Sequence, residues 1–311
     1  MNATRVARTA AHSDTGRRRR RNEDAYVVRP PLFAVADGMG GAQAGEVASR
    51  LVAEVLRDDG GDGTGEDRVS ELVQTANRRV YERAEADAAA SGMGTTVTLA
   101  LVGSDDVTIG HVGDSRAYLI RGGELRQLTE DHSLVAELIR SGKLSPEEAE
   151  SHPQRSVITR ALGTDPDVDV DIFSVPAESG DLFLLCSDGL TTMVGDAAIL
   201  ETVEANRDDL EAAARALVGT ANSGGGEDNI TVVFFEIDGL GDTIEMPAVA
   251  DEEPAQDEDE DTLSELDRVP TVDLPAETPK RRSTGARILA LIGVIALVAV
   301  LVVLIVLGVS R

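Results

Sequence analysis

The sequence predicts an α+β fold, and three observations carry the prediction. Seven short stretches rich in β-branched and apolar residues read as strands. Helical periodicity gathers in blocks instead of alternating with those strands. That arrangement favours antiparallel sheets with flanking helices over a doubly wound parallel sheet. The composition then changes abruptly at Asp238, which closes a domain of residues 1–237.

The first strands are AYVV (25–28) and LFAVAD (32–37), preceded by the run GRRRRRNED, in which five arginines lead directly into Asn-Glu-Asp. Helices follow over Gln43–Arg57, with Val47, Leu51, Val52 and Val55 on one face, and over Asp67–Ala90. Three strands come next: TTVTLALV (95–102), VTIGHVGD (107–114) and RAYLIR (116–121). Residues 130–166 mix helical and irregular signals and read as an inserted flap. The strand DLFLLCSD (181–188), a helix over Leu210–Ala221 and the strand NITVVFFEI (229–237) complete the domain.

Residues 238–287 are acidic, poor in aromatics and punctuated by proline, so they are expected to form a disordered linker. The stretch 288–309 is uncharged and apolar. As a helix it would span about 33 Å, enough for a bilayer core of roughly 30 Å. Lys280, Arg281, Arg282 and Arg287 precede it and only Arg311 follows, so the positive-inside rule places residues 1–287 in the cytoplasm. No apolar leader stands at the N-terminus, so no secretory signal is expected. The expected location is therefore the cell membrane, with a single-pass C-terminal transmembrane helix.

The net charge of −27 over 311 residues disfavours nucleic acid as a partner, because phosphate repels it. The arginine run admits two readings: an electrostatic patch, or one arginine with a specific task; strand alternation would put Arg17, Arg19 and Arg21 on one face. The lone cysteine, Cys186, lies in an apolar strand and reads as a buried structural thiol in a reducing compartment. His12, His111, His132 and His152 are scattered along the chain and read as structural.

Four aspartates share a setting. Asp37, Asp114, Asp188 and Asp228 each stand where an apolar strand meets a turn, mostly beside glycine. Asp and Gly are common turn residues, so one such site means little. Four in one domain can converge on one end of a sheet, where their mutual repulsion calls for counter-charge. Oxygen-only ligation suits Mg²⁺, Mn²⁺ or Ca²⁺ and not zinc. Carboxylates with an arginine point to phosphate chemistry, since two cations and a bidentate guanidinium can grip a phosphoryl group. Neither a GxxxxGK[ST] loop nor a kinase catalytic loop is present, so phosphate removal fits better than transfer from ATP.

The ordered set DTGRRRRRNED, ADGMGG, GMGTTVTLALV, HVGDSRAYL, SHPQRSVITRAL, LLCSDGL and GGEDNITVV resembles the PPM/PP2C family of metal-dependent protein serine/threonine phosphatases, in its bacterial form. The resemblance implies an α-β-β-α sandwich of two antiparallel sheets flanked by helices. It implies that Arg19 binds phosphate and that Asp37 bridges two core cations, Mn²⁺ or Mg²⁺, with the Gly38 carbonyl on one of them. Asp188 and Asp228 would be further ligands, Asp114 with Asp188 would hold a third ion, and Glu23 and Asp24 would act through water. Phosphorylated proteins, Ser/Thr kinases among them, are the implied partners. Met39 departs from those members that carry a general-acid histidine after Asp-Gly, and no replacement acid is evident. The alternative is a non-catalytic phosphoprotein-binding module on the same fold, which would normally have lost metal ligands; none is lost here.

Overall fold

A computed structural model of the chain describes residues 6–40, 44–60, 63–150 and 152–238. The predicted transmembrane span at 288–309 and the linker lie outside them, Asp238 apart. Among the described residues no helix is long and apolar enough to cross a membrane.

The elements run in this order: β1 (Val6–Asp14), β2 (Asp24–Arg29), β3 (Leu32–Met39), α1 (Ala44–Asp59), α2 (Glu66–Ala86), β4 (Gly94–Thr95), β5 (Val97–Val102), β6 (Asp106–Val112), β7 (Arg116–Arg121), β8 (Glu124–Gln127), α3 (Leu134–Arg140), α4 (Pro146–Glu150), β9 (Asp171–Pro176), β10 (Leu182–Cys186), α5 (Asp188–Thr191), α6 (Asp196–Ala205), α7 (Leu210–Ser223) and β11 (Ile230–Ile237). They build two sheets. One runs β1-β11-β10-β7-β8; the other runs β2-β3-β5-β6-β9, with β4 beside β3. Every pairing is antiparallel, as the blocked arrangement of helices predicts.

Three apolar layers explain why the central strands are apolar on both faces. Phe33, Val35, Ile109, Phe183 and Phe235 fill the space between the sheets. There Phe235 stacks on Phe33 at 4.2 Å and on Phe183 at 4.9 Å between ring centres. Val52, Leu56, Leu72 and Val80 of α1 and α2 cover the outer face of the β2-β3-β5-β6 sheet. Ile199, Val203, Leu217 and Val218 of α6 and α7 cover the other sheet. The result is the four-layer α-β-β-α sandwich. β5, covered on both sides, is buried at every position, which is why VTLALV shows no alternation.

The structure departs from the sequence expectation in several places. β1, β8, β9 and α6 were not foreseen. α2 stops at Ala86, four residues early, because Asp87 adopts an extended backbone and its carbonyl and carboxylate accept from Ala90 and Ala89 in a turn. The flap carries two short helices, α3 and α4, as a mixed segment should.

Candidate active site

Both sheets deliver acidic residues to one rim of the sandwich. Asp24 opens β2 directly opposite Asp37 near the end of β3. Asp114 sits in the turn between β6 and β7, and Asp188 begins α5 immediately after β10. Asp228 lies in the loop entering β11. The sequence-predicted aspartates therefore do converge. Asp37 is held by its backbone: its N–H donates to Thr96 Oγ1 at 3.0 Å, and its carbonyl accepts from Thr96 N–H at 2.9 Å and Thr95 Oγ1 at 2.8 Å. Its carboxyl group faces the neighbouring acids. Gly38 passes so close to Gly45 that a Cβ would stand 2.1 Å from the Gly45 carbonyl oxygen. Only glycine permits that approach.

Burial and mutual repulsion push Asp24, Asp37, Asp114 and Asp188 upward. Burial raises Asp24 to about 7, helped by Asp188 and Asp228 and opposed by hydrogen bonds from Thr231 and Ser187. Burial, then Asp188 and Asp131, raises Asp114 to about 8. Burial and Asp228 raise Asp188 to about 6, against a hydrogen bond from Asp37. Asp37 itself is held well above the usual carboxylate range by burial, then by Asp24, Asp188, Asp114 and Asp228. Glu23 is also raised, chiefly by burial. One buried carboxylate oxygen each of Asp24, Asp114 and Asp188 has no hydrogen-bond partner.

Orphaned, mutually repelling oxygens of this kind fit hard cations. Among the described residues no three carboxylate, imidazole or thiol groups by themselves enclose an ion. A cation here would complete its shell with water or backbone oxygen, such as the Gly38 carbonyl, as Mg²⁺ characteristically does.

The arginine run forms a loop between β1 and β2, not a strand, so Arg17, Arg19 and Arg21 do not alternate on one face as expected. Gly16 takes φ +80°, and the Gly226 carbonyl accepts from both Arg17 N–H at 2.7 Å and Arg18 N–H at 3.1 Å. Those bonds curl the chain before it can extend. Arg19 alone turns to the acidic rim, donating from Nη2 to Asp228 Oδ2 at 2.7 Å. Arg21 lies 3.8 Å from Glu46 on α1.

Neutral side chains that the sequence did not single out brace the acids. Asp24 Oδ2 accepts from Thr231 Oγ1 at 2.6 Å and from Ser187 Oγ at 2.8 Å. Thr231 Oγ1 continues to Ser13 at 2.7 Å, and Ser13 accepts from Asn22 at 2.8 Å. Arg116 binds Asp131 through both carboxylate oxygens, at 2.8 and 2.7 Å, on the flank of Asp114. Ser and Thr are too common for identity alone to mark such a network. Arg116, two residues after Asp114 in the motif, was the one readable signal.

The flap is rooted at both ends in the backbone that carries the aspartates. His132 N–H donates to the Gly113 carbonyl at 2.7 Å, and Gly113 N–H donates to His132 Nδ1 at 3.0 Å. At the other end Leu162 and Thr95 exchange backbone bonds at 2.9 and 3.2 Å. A cleft of about 530 Å³ lies between flap and rim, lined by Asp114, Asp131, Ser133, Arg155, Asp188 and Glu227. Two of the histidines are not scattered in space: His111 packs on His132 with ring centres 4.8 Å apart. Each has a partner on both ring nitrogens, Thr98 and Glu130 for His111, Gly113 and Asp171 for His132, which is a structural role.

Residues 14–222 match the family described as Protein phosphatase 2C. The chain is 43% identical over 238 residues to the serine/threonine phosphatase stp of Listeria monocytogenes, covering 73% of this chain and 94% of that one. It is 43% identical over 237 residues to the serine/threonine protein phosphatase PstP of Mycobacterium tuberculosis, covering 75% of this chain and 46% of that one. Among solved structures, the Mycobacterium tuberculosis phosphatase PstP/Ppp superposes with a TM-score of 0.71 at 42% identity, over 75% of this chain and 99% of that one. The catalytic domain of PstP in complex with two manganese ions superposes at 0.69 and 39% identity, over 75% and 99%.

Proposed function

The chain belongs to the protein phosphatase 2C family and is a protein serine/threonine phosphatase, and from that premise we propose a cation-dependent hydrolysis carried out at the acidic rim on phosphoserine and phosphothreonine esters. The observation that supports this most is the gathering of Asp24, Asp37, Asp114 and Asp188, three of them with an orphaned buried oxygen, beside the guanidinium of Arg19. Asp37, Asp188, Asp228 and the Gly38 carbonyl would hold two divalent ions, Mn²⁺ or Mg²⁺. Asp114 with Asp188 would hold a third. Such ions supply, when bound, the acidity that makes water nucleophilic near neutral pH and the charge that offsets phosphate.

The chain's own residues do the rest. Arg19 receives the phosphate in a planar, two-pronged grip that lysine cannot match. It is pre-aimed by Asp228 and has to share that partner when phosphate arrives. Glu23 and Asp24 face the cluster without completing it and would act through water. Met39 offers no proton, so the leaving alkoxide is not protonated from that position. The buried Cys186 thiol, pushed up to about 12 by burial, takes no part.

We propose further that residues 288–309 anchor the chain in the cell membrane, with the domain at 1–237 cytoplasmic and tethered by 238–287. That arrangement concentrates it beside membrane-bound Ser/Thr kinases and their products. The deciding experiment is phosphate release from a phosphothreonine peptide by the full chain, with and without Mn²⁺, beside Asp37→Asn and Asp188→Asn. Cation-dependent release abolished by both changes supports the reading. Binding of the phosphopeptide without turnover would replace it with a non-catalytic binding module.

A further inference from the structure

Asn229 stands one residue after Asp228, is 3% exposed, and spends its carboxamide on one segment only. Its Nδ2 donates to the Thr15 carbonyl at 2.9 Å and to the Arg21 carbonyl at 2.8 Å. Its Oδ1 accepts from Glu23 N–H at 2.8 Å. Both protons of the amide and its oxygen are therefore used. All three bonds go to the loop between β1 and β2, one at its start and two at its end. Arg19 rides between them.

From this geometry we infer that Asn229 is a positioning residue, which closes the Thr15–Glu23 loop so that Arg19 is presented to the phosphate. The physical reason is loop entropy. A segment with five exposed arginines in succession repels itself and has no apolar side chain to bury. Backbone bonds from Arg17 and Arg18 to Gly226 hold the first half, and Asn229 ties both ends. The Asp228-Asn229 pair thus controls Arg19 twice, through an ion pair to its side chain and through the frame of its loop. No shorter or single-function side chain reproduces this. Serine lacks the second donor, and aspartate turns an anion toward two carbonyl oxygens.

The inference rests on Arg19 being the phosphate-binding group, and the test separates the two. The full chain, with Mn²⁺ present, is compared with Asn229→Ala and Asn229→Asp, each alone and combined with Arg19→Ala. Three quantities are read: the inhibition constant of inorganic phosphate, kcat and KM on a phosphothreonine peptide, and amide hydrogen exchange over 16–22. The expected result is a rise in KM and in the phosphate constant on the order of tenfold for each single change, the scale of unmade buried hydrogen bonds. Faster exchange should be confined to the loop, the Mn²⁺ titration midpoint should not move, and Asn229→Ala should do little more once Arg19 is gone. Equal losses with and without Arg19, exchange spreading into the sheets, a shifted Mn²⁺ midpoint, or unfolding of both Asn229 variants would each overturn the inference. If Arg19→Ala alone leaves phosphate inhibition unchanged, the assignment of Arg19 fails instead, and this inference fails with it.

Discussion

Arg19 and Asp228, 209 positions apart in sequence, form an ion pair with Nη2 2.7 Å from Oδ2. The arginine is half exposed, so the pair adds little stability, about 1 kcal/mol at most. Its value is in aim. Arg19→Ala is expected to shift the melting temperature by only a few degrees while raising KM for a phosphopeptide by about tenfold or more. Arg19→Lys should recover little of that loss, because a point charge does not reproduce the fork. Steady-state kinetics beside a thermal melt checks both halves.

Asp37→Asn should separate stability from turnover. The amide keeps the shape, can still donate to Asp188, and removes one charge from a repelling cluster. In chelator the variant should therefore melt above the parent. Its activity should fall by about 10²-fold or more, the scale of several kcal/mol of lost charge stabilisation. Melting in EDTA and phosphate release in Mn²⁺, on the same preparation, decide it.

The acids also set a pH dependence. Asp24, Asp114 and Asp188 are raised to about 7, 8 and 6 in the folded chain, above the ordinary aspartate value. Between that value and the folded ones the native state holds more protons than the unfolded state, so stability falls as pH rises. Without cations, melting temperature should drop from pH 4 to pH 8, the reverse of a paired carboxylate. Mn²⁺ should raise it more at pH 8 than at pH 5. A flat profile in chelator would contradict the cluster.

Gly38→Ala should be severe. The new Cβ would meet the Gly45 carbonyl at 2.1 Å and the Glu23 carbonyl at 2.6 Å, and both are backbone atoms with little room to move. A loss of about 3 kcal/mol or more is expected, beyond ordinary overpacking, together with weakened Mn²⁺ binding. Chemical denaturation and a metal titration measure the two effects.

Cys186 should resist alkylation in the native chain and react only on unfolding, since burial raises the thiol to about 12. Phosphatase activity after iodoacetamide treatment of the folded chain should be unchanged.

What the sequence concealed follows a pattern. β1, β8 and β9 were missed, and each stands at the edge of its sheet. An edge strand is only half covered, so its burial is graded and the alternation blurs, as in β1, where Ala10 alone is fully buried. α6 buries just Ile199 and Val203, too few for a helical stripe. The aspartates were legible because charge at the end of an apolar strand is conspicuous. The arginine run was misread as extended because the signals that curl it, Gly16 and the distant Gly226 carbonyl, have no side chain to announce them. Asn229, Ser187 and Thr231 were silent because their importance lies wholly in long-range partners.

The placement of β11 between β1 and β10 has a consequence for how the molecule is made. Among the described strands the earliest made, β1, pairs with the latest made, β11, Ala10 opposite Phe234, so β1 waits for its sheet neighbour until β11 emerges. The same late segment brings Asp228 and Asn229. The sheet edge and the bonds that Asp228 and Asn229 make to the arginine loop are therefore completed together, once synthesis has passed Ile237.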